Sequence, residues 1–180
     1  MANVYPENEV YSKMAQSAYS LGNSLPKPVA PRQYNNLANT VKSSTPSSTN
    51  LGVVTTPYGG NTNYEGFHPG VDIANKKGTP IPSFTEGVVT EVREGQTQNP
   101  NKPSFGNYVV VKDPQGNLVR YSHLHQSFVK VGEKVNKGFN LGSMGNSGST
   151  YSNSGGDGSH LDLRIKDAFG KYIDPTSFIK

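Results

Sequence analysis

From residue 51 onward apolar positions recur every second residue in short runs punctuated by glycine, whereas residues 23–50 carry few large apolar groups. A period of two marks strands with one buried face. Four runs combine it with β-branched and aromatic residues: Gly87–Val92, Asn107–Lys112, Leu118–His123 and His160–Ile165. Asp113-Pro-Gln-Gly-Asn117 has the residues of a hairpin turn between the second and third. The pattern predicts an antiparallel all-β domain over residues 51–180. Two glycine-punctuated stretches, 95–106 and 148–158, read as loops that wall a groove.

Residues 23–50 include Ser24-Leu-Pro-Lys-Pro-Val-Ala-Pro-Arg32 and Ser43-Ser-Thr-Pro-Ser-Ser-Thr-Asn50, and they bury too little apolar surface to offset chain entropy. They read as a linker. Ahead of it, Asn8 is placed to cap a short helix closed by Gly22, with Val10, Met14, Ala18 and Leu21 on one stripe. Residues 1–22 are thus either a docking helix on a tether or a frayed terminus with helical bias.

Composition narrows the function classes. At 180 residues, 32% hydrophobic and with a mean hydropathy of -0.61, the chain can build one modest domain but not two. Seventeen basic against 13 acidic side chains leave +4, a mild balance that favours approach to anionic polymers. No Lys/Arg run or interleaved aromatic stripe marks a nucleic-acid surface, so no nucleic acid is expected as a partner. The absence of cysteine excludes disulfides and thiolate metal ligands. No apolar stretch approaches the roughly 18 residues of a membrane span, and Met-Ala-Asn-Val-Tyr-Pro-Glu lacks the charged head and apolar core of a signal peptide.

All four histidines fall in three segments. His68 and Asp72, in Phe67-His-Pro-Gly-Val-Asp-Ile73, offer one nitrogen and one oxygen, a ligand pair that zinc accepts. His123 and His125 lie in Tyr121-Ser-His-Leu-His125, and His160 precedes Asp162 in Gly158-Ser-His-Leu-Asp-Leu-Arg164. On strands, residues two apart share a face, which pairs His123 with His125 and His160 with Asp162. One cluster can then hold a metal and its acid–base groups. Tyr121 falls on the face of His123, where its hydroxyl either orients the site or fills a groove wall. Arg164 is expected on the face opposite Asp162, in solvent.

These segments resemble those of the LytM/lysostaphin-type zinc endopeptidases, whose pattern is H-x-x-x-D, then Y-x-H-L, then H-x-H. The likeness runs from about Gly52 to Lys180, through Gly78-Thr-Pro-Ile, Glu86-Gly-Val-Val, Val129-Lys-Val-Gly-Glu-Lys-Val-Asn-Lys-Gly138, Leu141-Gly, Gly145-Asn-Ser-Gly148 and Ile173-Asp-Pro. It implies a compact antiparallel sheet sandwich, zinc as cofactor and the peptides of bacterial peptidoglycan as substrate. By the same resemblance the metal ligands fall on His68, Asp72 and the position of Asp162, where the pattern has histidine. The two histidines that handle protons and steady the oxyanion fall on His123 and His160. His125 is a spare imidazole to which the resemblance gives no role.

Two carboxylates and one neutral imidazole cancel the charge of a divalent zinc, which weakens its pull on a carbonyl or a bound water. A carboxylate oxygen reaches about as far as imidazole Nδ1 but falls short of Nε2. Asp162 therefore replaces an Nδ1 ligand nearly in place, and an Nε2 ligand only with a backbone shift or a bridging water. Two functions follow from different classes. One is zinc-dependent cleavage of peptidoglycan peptides by a phage virion-associated or lysis protein, because a wall-cutting enzyme without its own export signal needs another way out. Its place would be the virion or the host cell wall, with the N-terminal arm docking on a virion protein. The other is a catalytically degenerate, LytM-like structural or wall-binding protein of a phage particle.

Overall fold

A computed structural model describes residues 51–179 apart from Asn63, Lys102 and Asn153; the expected linker and docking helix lie outside the described residues. Ten strands follow in chain order: β1 (Val53–Thr56), β2 (Val71–Ala74), β3 (Pro80–Pro82), β4 (Gly87–Arg93), β5 (Asn107–Lys112), β6 (Leu118–Ser127), β7 (Lys134–Val135), β8 (Asn140–Met144), β9 (His160–Lys166) and β10 (Tyr172–Ile173). The long path is β1-β2-β9-β6-β5-β4-β7, with β10 on β9 and with β8 joining β6 to β3. Every strand pairing is antiparallel. The protein is all-β, as its alternation predicts.

Strand parity decides which side chains reach the site. On β9 Leu161, Leu163 and Ile165 are fully buried in the core, so His160, Asp162 and Arg164 share the other face. Burying those three apolar side chains stabilises this register by about 5–9 kcal/mol, at roughly 1.5–3 each. A slip by one residue would forfeit that and turn the polar set inward. Val71 and Ile73 of β2 and Val119 and Tyr121 of β6 follow the same rule, which leaves Asp72 and Ser122 on the polar side. Pairing then aligns one row across three strands, with Asp72 opposite Asp162 and Asp162 opposite Ser122.

β6 changes partners part-way along. Its first half pairs with β9 and β5, and its last residues, Leu124 to Ser127, pair with β8. Against β5, the step from Tyr121 to Leu124 faces only Val109 to Asn107, so β6 carries one extra residue. His123 takes up that bulge with φ 61°, the one positive φ outside glycine among the described residues. Ile81, Leu141 and Met144 of the β3–β8 pair join the same core as Leu161 and Leu163.

Candidate metal centre and active-site groove

β2 and β9 bring two carboxylates directly opposite each other, an arrangement that opposes folding unless a positive charge joins them. His68, four residues before Asp72, turns its Nε2 toward both: 3.1 Å from Asp72 Oδ1 and 3.9 Å from Asp162 Oδ1. One ligand atom from each of the three lies within 4.8 Å of the others. A tetrahedral zinc with bonds of about 2.0–2.1 Å separates its ligands by about 3.3 Å, and the two separations from His68 Nε2 bracket that value.

The protonation pattern tells what the centre lacks. His68 Nδ1 lies 3.2 Å from Glu65 Oε2, an oxygen that only accepts, so Nδ1 carries the hydrogen and Nε2 of a neutral ring presents a lone pair. That lone pair confronts the carboxylate of Asp72. Both atoms are buried, and neither has an aligned hydrogen-bond partner despite the short separation. With His68 neutral, two electron pairs at such range call for a positive charge between them, which either a proton on Nε2 or a bound cation supplies. The donor set of one imidazole and two carboxylates fits a divalent metal. Burial pushes the His68 imidazole down, but Asp72, Asp162 and Glu65 outweigh it and raise its pKa. Asp72 is held below its ordinary range in spite of burial, chiefly by His68 and His160.

His123 and His160 stand beside the cluster with ring centroids 4.7 Å apart. Each has its Nδ1 next to a backbone carbonyl, Ser147 O at 2.7 Å and Gly158 O at 2.8 Å, so each donates there and presents Nε2 to the groove. His160 Nε2 is 4.0 Å from Asp72 Oδ1. Gly106, at φ 61°, packs so tightly on the Ser147 carbonyl that a Cβ would collide with it, which fixes the acceptor that orients His123. Burial, and then His160, push the His123 pKa down to about 4, so its ring is neutral at neutral pH.

Residues 66–175, more than half of the chain, match Peptidase family M23. The chain belongs to peptidase family M23. It is 40% identical over 81 residues to the peptidoglycan DD-endopeptidase ShyA of Vibrio cholerae, covering 45% of this chain and 17% of that protein. To Endolysin 2638A of Staphylococcus phage 2638A it is 33% identical over 105 residues, covering 57% and 20%. The chain thus spans a fifth or less of the length of these two relatives. Among solved structures, the catalytic domain of the prophage-encoded M23 protein EnpA from Enterococcus faecalis superposes with a TM-score of 0.55 at 28% identity, over 68% of this chain and 88% of that one. The LytM/lysostaphin resemblance and the all-β fold therefore hold.

Within this M23 domain the cluster takes in some expected residues and leaves out others. His68, Asp72, Asp162, His123 and His160 all line one groove of 1380 Å³. Tyr121 does not: its ring is fully buried against Phe84 and its hydroxyl accepts the Phe84 N–H at 2.8 Å. The bulge at His123 separates the two residues onto opposite sides of the sheet. It also breaks the expected pairing with His125, which is exposed and outside the cluster.

Arg164 requires the largest correction. Residues 162 and 164 have the same strand parity, so Arg164 shares the face of Asp162 and is 7% exposed, not solvated. Its Nε donates to both Asp162 oxygens at 3.0 and 2.8 Å, and its terminal nitrogens reach the two Glu65 oxygens at 2.8 Å each. Glu65 was not singled out from the sequence. Its one signal is position, three residues before His68, and the partner 99 residues away is invisible without the fold.

Both predicted loops wall the groove, and a third segment, which includes Asn61, Thr62 and Tyr64, joins them. Gln98 Nε2 ties the first two by donating to Thr150 O at 3.2 Å and Asp157 O at 3.2 Å. Tyr64 ties the third to them: its hydroxyl donates to Pro100 O at 2.7 Å and its ring meets Tyr151 edge-on at 5.8 Å.

Proposed function

We propose that the chain hydrolyses peptide bonds in bacterial peptidoglycan, with zinc held by His68, Asp72 and Asp162. The observation that carries this is the buried pair of unpartnered acceptors, His68 Nε2 and Asp72 Oδ1, facing each other beside a second carboxylate at the floor of an open groove. When bound there, zinc would supply Lewis-acid polarisation of the scissile carbonyl and lower the pKa of the attacking water. Glu65 fixes the His68 ring so that Nε2 points inward. His123 and His160, each anchored through Nδ1, offer Nε2 to take the water's proton and to hydrogen-bond the tetrahedral oxyanion. The loops 95–106 and 148–158 hold the peptide over these groups.

The setting we infer is a phage particle or phage-driven lysis, acting on the host wall. It is supported by the likeness to a phage endolysin and to a prophage-encoded M23 domain. Residues 1–50 would dock the domain on a virion protein. Zinc content of the purified chain by elemental analysis, together with turbidity loss of wall suspensions, tests the reading. One zinc per chain, and lysis abolished in His68→Ala and His160→Ala, is the expected result. A metal-free protein inert on several wall types would overturn it in favour of a degenerate wall-binding or virion protein.

A further inference from the structure

We infer that Arg164 and Glu65 are positioning residues that make Asp162 a working metal ligand and couple it to His68, an inference that rests on the metal-site reading above. The connection is continuous. Asp162 accepts from Arg164 Nε with both oxygens, the far side of the guanidinium forks onto both oxygens of Glu65, and Glu65 Oε2 accepts from His68 Nδ1 at 3.2 Å. Two of the three proposed ligands are thereby fixed by one rigid cation and one carboxylate. A carboxylate ligand needs a donor behind it as an imidazole ligand needs an acceptor, and the two supports here are joined to each other.

Arg164 and Glu65 carry opposite charges, so together they leave the charge balance that the two carboxylates impose unchanged. What the guanidinium contributes is geometry. Lysine has one ammonium and cannot span Asp162 and Glu65 in parallel. The sequence makes room for the fork at Gly70, where a Cβ would lie 2.7 Å from Arg164 Cγ and 2.9 Å from Asp162 Oδ1. Phe105 closes the outer side, with the Arg164 guanidinium carbon 4.8 Å from its ring centroid.

The test is zinc affinity of the full chain, measured by competition with a chromophoric chelator, on wild type, Arg164→Met, Arg164→Lys, Glu65→Gln and the Glu65→Gln/Arg164→Met double variant. Thermal unfolding and near-ultraviolet dichroism report the fold in parallel. Arg164→Met and Glu65→Gln are each expected to weaken zinc binding by about 10–100-fold, and Arg164→Lys to recover only part of the loss. The double variant should lose little more than Arg164→Met alone, because both residues act through one connection. Folded variants that keep wild-type affinity would overturn the inference. If Arg164→Met fails to fold, Arg164→Lys and Glu65→Gln decide by the same criterion. Wild type that binds no zinc would instead overturn the metal-site reading itself, so the two failures are distinct.

Discussion

Titration of His123 gives the sharpest quantitative expectation. Its imidazole is 5% exposed and is pushed from an ordinary 6.5 down to about 4 by burial and by the neighbouring His160. A lowered folded-state pKa means that the folded protein resists the proton that the unfolded chain accepts, so its contribution is fully present above pH 6.5 and is lost as pH falls toward 4. At about 1.4 kcal/mol for each tenfold change in proton affinity, the fall corresponds to about 3 kcal/mol. Other groups also titrate in this range, so the measurement is a difference. Urea unfolding of wild type and His123→Asn, with a chelator present, should give a stability gap that is constant above about pH 7. Between pH 6.5 and 4 the gap should shift by about 3 kcal/mol against the wild type. Asparagine suits the comparison because it tolerates the left-handed backbone that His123 adopts at φ 61°. A gap that stays flat down to pH 4 would show that the imidazole protonates in place and that the burial argument is wrong.

Three further substitutions separate the site from the scaffold. Gly70→Ala places a Cβ 2.8 Å from the Leu163 carbonyl and 2.7 Å from Arg164 Cγ, so it should cost about 1–3 kcal/mol in urea unfolding and weaken zinc binding; unchanged affinity would count against the packing of that fork. Tyr121→Phe strands the buried Phe84 N–H and should cost about 1–3 kcal/mol while leaving zinc affinity as in wild type, whereas a loss of zinc would place the hydroxyl back in the site. His125→Ala, at an exposed position, should change stability by less than about 0.5 kcal/mol and leave wall lysis intact; a loss of lysis would restore it as a site residue.

The long alternating strands were legible because each buries one face over six or more residues, as Leu161, Leu163 and Ile165 do on β9. β2 was not, since Val71, Asp72 and Ile73 are all buried, two in the core and one in the site, and four residues show no usable period. The histidine and aspartate spacings point to the cluster before any fold is known. What they cannot carry is the bulge at His123, because an extra residue in one strand is defined only against its partner. The placement of Arg164 in solvent went against strand parity itself, whereas Glu65 lay in a loop with no periodicity to mark it. Polar residues whose partners are far along the chain are read from the fold or not at all.

The switch of β6 from one set of neighbours to another has a mechanical meaning. His123 sits at the joint where the strand leaves β9 and turns to β8, with Leu124 already paired to Met144. The backbone beside His123 is therefore shared between the β9 layer and the β3–β8 layer. Substitutions at Leu141 or Met144, which do not line the groove, are expected to shift the His123 ring resonances in an NMR spectrum, and unshifted resonances would refute that link.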